Sequence, residues 1–182
     1  MSKLFSPATY RGMTLKNRVI VAPMCQYSAQ HGLANDWHLV HLGRFALGGF
    51  SLVIAEAAGV TPEGRISYGC LGLWDDAQIE PLKRIVDFLH KNGAKAGIQL
   101  AHAGRKANSP IPWRGSFNET DAEKLDLGFE AWTSVAPSAE RHSASYAVPV
   151  ALDDAGLARV RTGFEAAAKR ADAAGFDMIE VH

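Results

Sequence analysis

Side chains capable of redox, acid–base or hydrogen-bonding chemistry recur in this sequence at the ends of short apolar runs. The run Arg18–Ala22 ends in Pro23 and is followed by Met24, Cys25, Gln26 and Tyr27. The run Ser51–Ala58 carries Glu56, Ala57 and Ala58 at its end, and Lys95–His102 carries Gln99 and His102 before Ala103-Gly104-Arg105-Lys106. The run Asp177–His182 finishes with Glu180 and His182. Three chemistries could use such a set. A metal ion would draw on His102, His182, Cys25 and Glu56, but no local HxH, HExxH or CxxC spacing is present, so no metal is expected. A nucleophilic Cys25 would need a base beside it, and its sequence neighbours offer none. A planar redox cofactor could be held by amide and imidazole donors on one edge and by backbone on another, with a thiol near its ring to tune its potential.

These residues must be brought together by the elements that carry them. The four apolar runs are near-continuous rather than alternating, the pattern of strands covered on both faces. Helical spacing lies between them. A first helix starts at Asn35 or Asp36 and stops at Gly48-Gly49, with Leu39, Leu42 and Ala46 on one face. A second carries Leu82, Ile85, Val86 and Leu89, with Pro81 fitting its first position and Gly93 its end. A third starts near Asp153 or Asp154, shows Leu157, Val160, Phe164, Ala167 and Ala171, and stops at Gly175. The alternating order predicts parallel strands with right-handed crossovers. Ahead of it, Ala8–Asn17 reads as a small hairpin turning at Arg11-Gly12.

The expected fold class is therefore α/β, a (β/α)8 TIM barrel. The chain supplies the hairpin, strands one to four and helices one to three. A whole barrel takes about 250 residues, so residues 1–182 read as the N-terminal half of a single barrel domain. One long connection, 103–150, contains Pro110, Pro112, Pro137 and Pro149 and reads as a capping insertion. In such a barrel chemistry belongs at the carboxyl ends of the strands, where the residues named above converge.

Composition narrows the partners. The chain has 182 residues with 19 basic and 19 acidic side chains, 47% hydrophobic and 21% charged, which is ordinary globular composition. Neutral balance and scattered Lys and Arg argue against nucleic acid or an anionic membrane surface. The start, MSKLFSP, lacks a secretory pattern, and no apolar run approaches the ~20 residues that span a bilayer. Cys25 and Cys70 are too few for a disulfide scaffold, so both are expected as reduced thiols in a cytoplasmic protein.

The motifs PMCQY, NDWH-LVH, VIAEAAGVTPEGRIS, GIQLAHAGRKA and AGFDMIEVH, in this order, resemble the old yellow enzyme family, and within it the thermophilic-like branch that includes the xenobiotic reductases. The resemblance runs from Leu4 to His182. It implies an eight-fold barrel that binds FMN and uses NAD(P)H to reduce activated C=C bonds of enones, small α,β-unsaturated carbonyl compounds. It also implies roles. Pro23, Met24 and Cys25 would line the flavin, the Cys25 thiol reaching toward N5 and O4. The Ala57 backbone would meet the O4–N3 edge, and Gln99 would bond the pyrimidine edge. His182 would serve both the N1–O2 edge and the substrate carbonyl. Tyr27 would help hold that substrate, while Arg105 and Lys106 would shape the mouth. The family's second histidine, tyrosine proton donor, N1 arginine and phosphate loops are expected beyond His182, and a homo-oligomer or pairing with a second half-barrel is expected.

Other residues have plainer readings. His38 and His41 suit a helix-start or packing role, and His31, His90 and His142 suit surface or cap positions. Glu56 and Glu180 are expected to have arginine partners, supplied from this chain or from the other half of the barrel. Cys70 reads as a small buried hydrophobe, and Trp113 as the tryptophan that faces a substrate. Two alternatives stay open: a stand-alone half-barrel whose function is assembly, and a metal-dependent barrel hydrolase sensitive to chelators.

Overall fold

The computed structural model describes residues 2–113 and 132–182, so part of the expected capping insertion lies outside the described residues. A hairpin opens the fold. Strands β1 (Ala8–Tyr10) and β2 (Met13–Leu15) pair antiparallel with Tyr10 opposite Met13, and Arg11 takes the left-handed φ of 51° that the tight turn demands. The rest alternates: β3 (Ile20–Val21), α1 (Asp36–Leu47), β4 (Leu52–Gly59), α2 (Ile79–Lys91), β5 (Lys95–Ala101), β6 (Val135–Ala136), β7 (Val150–Ala151), α3 (Asp154–Ala173) and β8 (Met178–Val181). Strands β3, β4, β5 and β8 form one sheet in that order, each pair parallel. β4 is buried along its whole length, as its continuous apolar run requires.

Local chemistry sets the helix ends. The Asn35 side chain accepts from the Trp37 N–H, and the Asn35 N–H donates to His38 Nδ1, a capping box in which an imidazole replaces the usual carboxylate. Asp153 caps α3 by accepting from the Gly156 N–H at 2.7 Å. The start of α2 differs from expectation. Asp75 caps a short 3-10 turn, Asp76–Gln78, that runs directly into the helix, so helical residues begin at Ile79, ahead of Pro81. Pro81 remains in the first turn, where a missing N–H leaves no bond unmade. Apolar faces of the three helices cover the sheet: Leu42 and Ala46 from α1, Leu82, Ile85, Val86 and Leu89 from α2, and Ala167 and Ala171 from α3 all join the core with Val53, Ile98 and Leu100. The short parallel pair β6–β7 was not foreseen, since a two-residue strand carries no periodicity.

One polar clasp ties α2, β5 and the entry to β8 together. Asp177 accepts from the Ala96 N–H (2.9 Å), Lys95 Nζ (2.7 Å) and His90 Nε2 (2.6 Å). His90 therefore has a structural partner as well as its surface position. Burial pushes the Asp177 carboxyl up, but these donors outweigh it and hold the group below its ordinary value. Asp177→Ala is expected to cost about 1.5–3 kcal/mol, the range for bonds to a charged group, measured by urea denaturation. The folded-state value is depressed, so this stabilisation is present above the unfolded carboxyl's pKa and fades as pH falls through the folded one. A pH-independent difference between Asp177→Ala and the parent would contradict the clasp.

Candidate functional site

The carboxyl ends of the parallel strands present the polar residues side by side. Ala57 of β4 aligns with Gln99 of β5, and Gln99 aligns with Glu180 of β8. Gln99 Nε2 donates to Glu180 Oε1 at 2.8 Å, so among the described residues the partner of Glu180 is an amide and not an arginine. Among the described residues that bond uses one of the Gln99 amide hydrogens and leaves a donor and the carbonyl acceptor. His182 continues the rim: its N–H donates to the Leu100 carbonyl at 3.0 Å, fixing its backbone while the residue stays exposed.

β4 reaches this rim through an irregularity. Ala55 pairs with Ile98 and Ala57 with Gln99, the next residue, so Glu56 is the extra residue of a bulge. A bulge re-aims one side chain, and here Glu56 meets His38 of α1, with His38 Nε2 at 3.4 Å from Glu56 Oε1 and both side chains 1% exposed. The expected arginine is replaced by this histidine, which caps its helix with one ring nitrogen and faces the carboxylate with the other. The 3.4 Å approach is an electrostatic contact without hydrogen-bond alignment, since neither carboxylate oxygen has a hydrogen-bond partner among the described residues. Burial raises the Glu56 carboxyl, and His38 only partly offsets it.

The segment after β3 wraps over this cluster. Tyr27 adopts φ 51°, and a Cβ on Gly69 would sit 2.5 Å from the Tyr27 carbonyl oxygen, so Gly69 permits the close passage of two loops. The Ala29 N–H donates to the Gly69 carbonyl and seals it. Asn35 Nδ2 and Trp37 Nε1 hold the same segment through the Ser28 carbonyl and Gln26 Oε1. Met24 is exposed and Cys25 half-buried. Cys70, expected as an isolated small hydrophobe, is buried against Cys25. One ligand atom each from Cys25, Glu56 and Cys70 lies within 4.8 Å of the other two, a grouping a soft metal ion could also use. The contact with Cys70 is the main cause that holds the Cys25 thiol below its ordinary value, while Cys70 is raised, first by the same contact and then by burial.

The Tyr27 ring meets Trp113 edge to face at 5.4 Å, so the phenol and the tryptophan expected to face a substrate share one surface. Burial, with the nearby thiols and carboxylate, pushes Tyr27 up to about 12. His102 Nδ1 accepts from the Gly104 N–H at 3.1 Å and its Nε2 is buried, lowering its pKa. No group of three or more potential metal ligands among the described residues contains His102 or His182. Arg105 is tied to the loop before β7 through Glu140 Oε2 (3.3 Å) and Ser138 Oγ (3.0 Å), so it braces this rim. Arg65 was missed by sequence reasoning: buried, it stacks on Trp74 and Trp132 at 5.0 and 4.7 Å and locks the loop after β4 beneath the connection to β6.

Comparison with known proteins agrees with this arrangement. The chain is 47% identical to an NADH:flavin oxidoreductase of Gibberella zeae over 100% of this chain and 43% of that protein. It is 46% identical to an NADPH dehydrogenase of Listeria welshimeri serovar 6b over 100% of this chain and 48% of that one. The chain thus spans about half the length of the curated relatives it matches. Morphinone reductase superposes with a TM-score of 0.81 at 28% identity, covering 98% of this chain and 47% of that one. The old yellow enzyme homologue of Zymomonas mobilis gives 0.77 at 28%, covering 100% and 48%. The four parallel strands and three helices are accordingly one half of a (β/α)8 TIM barrel. FMN and a nicotinamide electron donor are the cofactors of the proteins so grouped. A family profile matches residues 3–182, and the chain belongs to the NADH:flavin oxidoreductase / NADH oxidase family, the old yellow enzymes.

Proposed function

We propose that this chain carries one flank of the flavin site of an FMN-dependent NAD(P)H oxidoreductase that reduces the activated C=C bonds of enones and related electrophiles. The observation that carries the reading is the alignment of Ala57, Gln99 and the His182 backbone on adjacent strand ends, with the Cys25 thiol beside the Ala57 backbone. The donor set suits the ligand. After its bond to Glu180, the Gln99 carboxamide keeps a donor and an acceptor, the complement of the imide edge of an isoalloxazine. Bound FMN supplies hydride transfer from a reduced nicotinamide to the β-carbon of an enone.

The chain's own residues do the rest. Pro23 and Met24 would line the ring, the Ala57 backbone would meet its edge, and the half-buried Cys25 thiol would tune the potential. The His182 imidazole donates a hydrogen bond to the substrate carbonyl oxygen, where negative charge builds in the transition state. Tyr27, held neutral up to about 12, stays a phenol donor at any working pH and holds the same substrate with Trp113 beside it. Arg105 and Lys106 shape the mouth. Among the described residues no helix is long and apolar enough to cross a membrane.

The test is a visible spectrum of the full-length protein freed of unbound flavin, followed by NADPH-dependent loss of 2-cyclohexenone. A bound flavin spectrum and turnover are expected; a colourless protein after FMN loading would sink the reading. Cys25→Ser is expected to keep the flavin while shifting its midpoint potential and both half-reaction rates. Complete loss of flavin from that variant would show that Cys25 builds the site instead of tuning it.

A further inference from the structure

The two cysteines are distant in sequence, yet their sulfurs lie within 4.8 Å across a loop contact that Gly69 makes passable. We propose that Cys25 and Cys70 form a hydroperoxide-oxidisable pair, in which Cys25 reacts first and Cys70 resolves it to an intrachain disulfide.

Three features carry it. The thiols differ in access: Cys25 is half-buried, whereas Cys70 is 0% exposed, so an oxidant in solution meets Cys25. They also differ in place. Cys25 lies in the irregular segment after β3 and Cys70 in a turn whose N–H donates to the Ser67 carbonyl, so neither belongs to a named strand or helix. The sulfurs must close to about 2 Å; Cys70 is held next to Leu71, whose carbonyl accepts from the Gly59 N–H of β4, so the closing movement falls to the irregular segment that carries Cys25. Finally, the Ser67 N–H donates to Cys70 Sγ at 3.4 Å and holds that sulfur beside Cys25. The contact with Cys70 lowers the Cys25 thiol and raises that of Cys70, so Cys25 is the thiolate that attacks first and Cys70 keeps its proton until the second step.

The chemistry balances. The Cys25 thiolate attacks one peroxide oxygen, the O–O bond breaks, and the departing hydroxide takes a proton to become water, leaving a sulfenic acid. The Cys70 sulfur then attacks the Cys25 sulfur. The S–O bond breaks, the S–S bond forms, and the second hydroxide leaves as water with the Cys70 proton. Two thiols are oxidised and one hydroperoxide is reduced. Glu56, whose carboxylate oxygens lack hydrogen-bond partners beside both sulfurs, is the group placed to carry protons between them.

The experiment treats the native protein with stoichiometric hydrogen peroxide in the presence of a chelator, so that a metal on the same sulfurs does not mask them. Thiols are then counted after denaturation, and peptides are mapped without reduction. Both thiols are expected to vanish together, with a Cys25–Cys70 linked peptide, an intact mass lower by the two hydrogens lost, reversal by a dithiol, and a yield independent of protein concentration. Cys70→Ser should instead accumulate oxygens on Cys25, and in Cys25→Ser the thiol of Cys70 should be lost on the order of tenfold more slowly. Oxygen addition to Cys25 with Cys70 still free in the parent protein, a disulfide between chains, or no reaction would each overturn the proposal. Equally fast loss of Cys70 in Cys25→Ser would overturn the order of the steps.

Discussion

Replacing His182 with alanine in the flavin-loaded protein is expected to slow enone reduction about 100-fold, the effect of deleting one preorganised donor to a developing oxyanion. Reduction of the bound flavin by NADPH should fall much less. The asymmetry follows from where charge appears. In enone reduction, negative charge builds on the substrate carbonyl, and a donor placed there is stronger in the transition state than in the ground state. Flavin reduction has no such carbonyl, so His182 then contributes only to the charged edge of the cofactor. The backbone of His182 is fixed by its N–H bond to Leu100, so the substitution leaves β8 in register. Stopped-flow measurement of the two half-reactions separates the effects. Equal losses in both would reduce His182 to a flavin-binding group and remove it from the enone step.

The sequence made the scaffold legible because its punctuation is local. Asn35 and Asp153 cap helices where their side chains can reach an N–H two or three residues on, and Gly93 and Gly175 end helices at positive φ, all within one turn of chain. The parallel order followed from continuous apolar runs that only two-sided burial explains. What escaped was contact at long range. Nothing near Cys70 announces Cys25, because their meeting depends on Gly69 letting two loops pass. Arg65 reads as an ordinary loop cation until Trp74 and Trp132 arrive on either side. Asp177 looked like the first residue of a strand, yet it gathers donors from Lys95, Ala96 and His90. The arginine expected for Glu56 was inferred from the general habit of buried carboxylates, and the bulge that turns Glu56 toward α1 has no signature in a run of small apolar residues.

That correction carries the largest expected effect on stability. His38→Ala should destabilise the protein by about 2–4 kcal/mol, the cost of leaving a buried polar group without its partner together with that of a lost cap. The Glu56 side chain is 1% exposed, and His38 Nε2 is the side-chain nitrogen that faces it, 3.4 Å from Oε1. Part of the loss belongs to the helix, because His38 also accepts from the Asn35 N–H, and a lost cap costs about 1 kcal/mol. Glu56→Gln separates the two: it removes the charge, keeps the shape, and should restore part of the stability of His38→Ala when the two are combined. The pH dependence has a definite sign. The folded-state pKa of Glu56 is raised, so the folded protein holds its proton more tightly than the unfolded chain does. Stability therefore falls as pH rises from the unfolded carboxyl's pKa to the folded one, then levels off. His38→Ala should deepen that fall and Glu56→Gln abolish it, as read from urea midpoints across a pH series. A loss under about 1 kcal/mol for His38→Ala, the scale of an exposed pair, would show that water reaches Glu56 and that the pair holds α1 to β4 by packing alone.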